Sequence, residues 1–125
     1  MGKYTDGRYG TRQTVAALVN SNKTANAICG QFKFFTDVLV REVRVNVVTA
    51  GTTHATHALK IYKAGSSIGI VTMGTQTSGV AVDASLTDTT FASTDALDVR
   101  SMNSDATFKG VVQVDYNEIF NNDNT

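Results

Sequence analysis

The side chains able to do chemistry are few and scattered. Cys29 is the single cysteine of the chain, so it forms no intrachain disulfide. It lies in Ala27-Ile28-Cys29-Gly30, an apolar run in which a thiol reads as a small buried hydrophobe. An activated nucleophile needs a base or electropositive surroundings, and neither is written beside it. His54 and His57, the two histidines of the sequence, are the candidate transition-metal pair. Three residues apart, they share a face on a helix but point to opposite faces of an extended strand. Their segment reads as a loop entering a strand, so no metal site is expected. Asp83 and Asp88, in Val82-Asp83-Ala84-Ser85-Leu86-Thr87-Asp88-Thr89, carry the oxygen ligands that calcium takes. The EF-hand spacing and its closing glutamate are missing, and turn-capping explains these aspartates better. The chain has no phosphate-binding loop, no Gly-x-Gly-x-x-Gly and no His-Glu-x-x-His. A non-enzymatic protein without a cofactor is expected.

Whatever the chain does must therefore come from its elements. At 125 residues and 13.3 kDa it fits one domain, long enough to bury a core without disulfides or a structural metal. Eleven basic residues balance eleven acidic ones, which argues against holding nucleic acid by bulk charge. No apolar run approaches the ~20 residues of a membrane-spanning helix. Met1-Gly2-Lys3-Tyr4-Thr5-Asp6 carries no apolar signal segment, so synthesis in a cytoplasm is expected.

The dominant period is two. Glu42-Val43-Arg44-Val45-Asn46-Val47 alternates strictly, as do Leu59-Lys60-Ile61-Tyr62, Leu97-Asp98-Val99-Arg100 and Val112-Gln113-Val114-Asp115-Tyr116, the mark of half-buried strands. Ala64-Gly65-Ser66 reads as a hairpin turn before Ile68-Gly69-Ile70-Val71-Thr72. Strands are expected near 13–19, 27–35, 38–48, 56–63, 67–73, 89–92, 96–101 and 107–118, with Ala16-Ala17-Leu18-Val19 open to an alternative reading as one helical turn. The expected fold is all-β, an antiparallel two-sheet β-sandwich or jelly roll of about seven or eight strands. It occupies residues 13–120, between an N-terminal arm (1–12) and a polar tail (121–125).

Three features bear on partners. Phe32, Phe34 and Phe35, with Val38, Leu39 and Val40, place apolar side chains on both faces of one stretch. Either other elements of the chain cover both faces, or Phe32, Phe34, Phe35 and Leu39 mark a subunit contact. Proline is absent, so exposed strand edges must be blunted by charge or by a neighbouring chain. Residues 1–76 carry nine basic against three acidic side chains and residues 77–125 two against eight, giving +6 and −6. That asymmetry either cancels inside the fold or sets the register of a homo-oligomer. The arm itself holds Lys3, Tyr4, Arg8, Tyr9 and Arg12, residue types common at interfaces, on a glycine-rich backbone that otherwise reads as a frayed end.

From residue 67 onward the order of motifs resembles a known family. Ser67-Ile68-Gly69-Ile70-Val71 is followed by Gly74-Thr75-Gln76-Thr77-Ser78-Gly79, by Val82 through Thr90, by Asp95-Ala96-Leu97-Asp98-Val99-Arg100, by a polar Asn-Ser-Asp turn, and by the alternating strand to Tyr116. This is similar to small β-sandwich head decoration (cement) proteins of tailed bacteriophages. The resemblance implies a virion structural protein on the outer surface of the capsid. There such proteins, commonly homotrimers, bridge the major capsid protein lattice against internal DNA pressure. It implies a partner-binding arm over Lys3–Arg12, because termini in such families reach across capsid subunits. It also leaves room for another virion part (tail, neck or fibre). A carbohydrate- or receptor-binding sandwich is the reading from a different class.

Overall fold

The computed structural model describes residues 10–20, 27–49, 58–72, 79–87, 89–101 and 108–120. His54, His57, Asp88, Lys3, Tyr4, Arg8 and Tyr9 lie outside those residues.

Ten strands occur among the described residues: β1 (Gln13–Asn20), β2 (Ile28–Lys33), β3 (Val38–Thr49), β4 (Ala58–Lys63), β5 (Ser66–Thr72), β6 (Ala81–Asp83), β7 (Ser85–Leu86), β8 (Thr90–Phe91), β9 (Ala96–Ser101) and β10 (Lys109–Glu118). They form two antiparallel sheets. One runs β1-β10-β3-β6, with β8 also on β3, and the other runs β2-β9-β4-β5-β7. The pairings are nested: β1 with β10, β2 with β9, β3 with β8, and β4 with β5. A long two-stranded ribbon rolled over itself produces that nesting, so the all-β sandwich is wound as a jelly roll.

Alternation decides which side chains enter the space between the sheets. Val43, Val45 and Val47 of β3 and Val112 and Val114 of β10 point inward and are buried, while Glu42, Arg44 and Asn46 lie on the outer face. Leu59 and Ile61 of β4, Val71 of β5, and Leu97 and Val99 of β9 meet them from the other sheet, each fully buried. Each such side chain contributes about 1.5–3 kcal/mol relative to exposure. Ala16-Ala17-Leu18-Val19 is strand, not a helical turn: β1 pairs with β10 through all eight of its residues without a register break. Its alternation supports this, with Val19 inward and Leu18 outward.

Two places in the ribbon depend on glycine, one a turn and one a close approach. Lys63 lies opposite Ser66, and the two residues between them, Ala64 and Gly65, have φ of 49° and 89°. Positive φ at both central positions is what a type I′ hairpin turn requires, as the sequence leads one to expect at Gly65. Where the sandwich closes at one side, a Cβ on Gly30 would lie 2.9 Å from Val19 Cγ1. A glycine lets β2 pass this close to β1.

Val82–Thr89 departs from the expected loop. Two short strands, β6 and β7, lie in it, joined to β3 and β5. Asp83 is not a turn cap: it sits on β6 opposite Arg44 and accepts a hydrogen bond from Arg44 Nε at 2.8 Å. Asp95 does hold a turn, its carboxylate accepting the Ala92 N–H at 3.0 Å.

Candidate functional site

The phenylalanine stretch resolves into an inside and an outside. Phe32 continues the inward face of β2 and is 9% exposed. Beyond the end of β2, Phe34 keeps the same parity and enters the core at 6% exposure. Its ring meets Phe91 edge-on, centroids 6.0 Å apart at 68°, and tilts against Tyr116 at 4.9 Å. Phe35 comes next, in the bend toward β3, and is 97% exposed. Leu39 sits half-buried on the outward side of β3. Of the four residues expected at a subunit contact, Phe32 and Phe34 are therefore spent on the chain's own core, and Phe35 and Leu39 remain at the surface.

The bend that carries Phe35 is tied on both sides. Thr36 Oγ1 donates to Glu118 Oε2 at 3.1 Å, and Ile119 N–H donates to the Asp37 carbonyl at 2.8 Å. Asp37 Oδ1 accepts the Ser93 N–H at 3.0 Å. An aromatic ring held out by a fastened loop has lost its backbone freedom before any partner arrives, which lowers the entropic cost of docking. Phe35 and Thr36 also border a cleft of about 240 Å³, lined besides by Val15, Phe32, Phe34, Tyr116, Lys33 and Glu118.

The outer face of the β1-β10-β3-β6 sheet has the opposite character. Arg12 Nη2 reaches Asp115 Oδ2 at 2.9 Å and Glu42 Oε1 at 3.5 Å. Arg44 bridges Glu42 at 2.9 Å and Asp83 at 2.8 Å. The Thr14 hydroxyl donates to Asp115 Oδ1 at 2.8 Å. That bond, helped by Arg12 and Gln113 against the opposing effect of burial, holds the Asp115 carboxyl below the usual aspartate value. Arg44 is held charged beyond the ordinary arginine value, first by its hydrogen bond to Asp83 and then by the nearby carboxylates. The basic first half of the chain thus meets the acidic second half within one molecule, at Arg12–Asp115 and Arg44–Asp83. Two contacts of the kind that internal cancellation needs are thus present among the described residues.

Arg12 belongs to this network and not to a free arm. The tie begins two residues earlier, where Gly10 N–H donates to the Glu118 carbonyl at 2.9 Å and Asn117 Nδ2 donates to the Gly10 carbonyl at 2.7 Å. Residues 10–12 are fastened along β10, so an arm has to be sought before Gly10.

On the other sheet, Asp98 is 5% exposed although it faces outward. Gln31 Nε2 donates to it at 2.7 Å and Arg100 Nη2 lies at 3.4 Å. The Arg100 guanidinium lies over the Tyr62 ring, 4.2 Å from its centroid. Cys29 is half-buried against the core, its Sγ 3.6 Å from the Ala27 carbonyl. Among the described residues, no three His, Cys, Asp or Glu side chains gather where a metal ion could be held. No described helix is long and apolar enough to cross a membrane.

The fold and this surface define an all-β jelly-roll domain in which Arg12, Arg44 and Arg100 pair with carboxylates and Phe35 is the most exposed aromatic ring among the described residues. Neither a scan of protein-family models nor a search of curated proteins finds a match to the chain.

Proposed function

We propose that this domain is a non-enzymatic virion structural protein, a decoration or cement module that binds the outer surface of a major capsid protein lattice and stabilises the head. Phe35 carries the reading. A ring left 97% exposed on a fastened loop, at the edge of a cleft, is suited to seat in a protein partner. Arg12, Glu42 and Asp83, which with Arg41 line an open groove of about 470 Å³ on the outer sheet face, are engaged in ion pairs of their own chain. The jelly roll is an architecture of viral capsid domains, which supports the reading by analogy of fold. In this proposal Lys3, Tyr4, Arg8 and Tyr9 form the capsid-reaching arm, with Phe35 and Leu39 on the docking side.

Co-sedimentation of the purified chain with capsids lacking it tests the proposal. The full chain should pellet with heads. Phe35→Ala and a chain lacking residues 1–9 should stay folded and remain in the supernatant. Undiminished attachment of both would remove these residues from the mechanism.

A carbohydrate- or receptor-binding module is the second reading, because lectin domains use the same roll. Against it, one face of the Tyr62 ring is already covered by Arg100. Specific binding on a glycan array, without attachment to capsids, would favour this second reading.

A further inference from the structure

Four of the five strands with an open flank among the described residues carry a device against pairing with another chain. β6 has three residues, and β7 and β8 have two each. β2 has six, but its register with β9 breaks between Ile28 and Gly30, and it ends in the exposed Lys33.

β1 carries none. Its eight residues, Gln-Thr-Val-Ala-Ala-Leu-Val-Asn, include no charge and no proline. Its register with β10 is continuous. Among the described residues no strand is paired on its other side. Leu18 is 65% exposed on its outer face, next to the exposed Ala16. A long, regular, uncharged edge is a template for another strand.

We infer that β1 pairs antiparallel with β1 of a second copy of this chain, joining two sheets across a two-fold axis. The sequence of β1 favours a copy of itself over a foreign strand. With no charged side chain, self-pairing brings no like charges together. Keeping the buried face of one copy level with that of the other requires opposed residues of equal parity. With Ala17 opposite the partner's Ala17, Val15 meets the partner's Val19, Ala16 meets the partner's Leu18, and Thr14 meets the partner's Asn20. Apolar then faces apolar and polar faces polar throughout. Sliding so that Ala16 opposes the partner's Ala16 would set Gln13 against the partner's Val19 and Thr14 against the partner's Leu18. The first register is the one the side chains select. A two-fold contact of this kind is self-complementary and closes on two copies. It stands on β1 alone and does not depend on what Phe35 docks against.

Sedimentation equilibrium of the full chain over roughly 1–100 µM tests the pairing. A mass rising toward that of a dimer is expected. Ala16→Lys with Leu18→Lys sets lysine against lysine in the selected register and should weaken association about a hundredfold. Ala16→Glu with Leu18→Lys sets glutamate against lysine and should restore it. Both positions face solvent in the single chain, so neither variant disturbs the core. Amide hydrogen exchange of the unaltered chain gives an independent reading: β1 should gain protection as concentration rises. A chain that stays monomeric, association indifferent to the lysine pair, no rescue by the charge-matched pair, or β1 exchange independent of concentration would each overturn the inference.

Discussion

The outer face of the β1-β10-β3-β6 sheet and the side of the sandwich where β1, β2 and Phe35 meet are built on opposite terms. On the first, Arg12, Arg44, Glu42, Asp83 and Asp115 are joined in one chain of ion pairs and hydrogen bonds. On the second, an aromatic ring 97% exposed, a cleft and the uncharged strand β1, unpaired on one flank among the described residues, lie together. The difference teaches where to look for a docking site: at the exposed aromatic ring and the open strand flank rather than at the paired charges.

Phe34 and Phe35 offer the largest test of that contrast, being neighbours of one residue type. Phe34→Ala empties a buried site between Phe91 and Tyr116 and should cost about 3 kcal/mol, lowering Tm by about 10 °C. Phe35→Ala should change stability by less than about 0.5 kcal/mol while removing attachment. Equal losses in thermal unfolding would break the division into inside and outside.

The next effect sharpens how the phenylalanine side closes. Gly30→Ala pushes a methyl group toward the buried Val19 and should destabilise by about 1–2 kcal/mol. Urea unfolding of Gly30→Ala with and without Val19→Ala should show the two changes to be non-additive.

The charged face predicts smaller numbers. Its ion pairs are exposed, so Arg12→Ala should cost less than about 1 kcal/mol and less still in high salt. Its acid response has a definite sign. Because Asp115 titrates below the ordinary aspartate value when folded, its contribution is complete above about pH 4. It is lost as pH falls from there through the lowered folded value. Thr14→Ala removes the main cause of that lowering, and urea midpoints across this range should then fall less steeply.

The sequence and the structure agree where alternation is long. The valine run of β3 and the strand ending at Tyr116 need no partner to be read, because strict period two has one physical meaning. β6 and β7 are too short to carry a period, so Val82–Thr89 reads as a loop until β3 and β5 are in place beside it. The phenylalanine stretch is legible as apolar, and Phe32 and Phe34 inside with Phe35 outside follow period two, but which parity faces the core is set only once Phe91 and Tyr116 are in place beside Phe34. Asp83 and Arg12 were misplaced for a related reason. Arg44 lies 39 residues from Asp83, and Asp115 lies 103 residues from Arg12. Only the nesting of the roll brings those pairs together, and local spacing holds no trace of it.

A reconstruction of capsids incubated with the purified chain tests the central claim most directly. The account predicts density for a jelly-roll domain on the outside of the head lattice, with Phe35 seated against a major capsid protein. Particles in which the domain lies in the tail, lies inside the shell or is absent, or in which Phe35 faces open solvent, would contradict it.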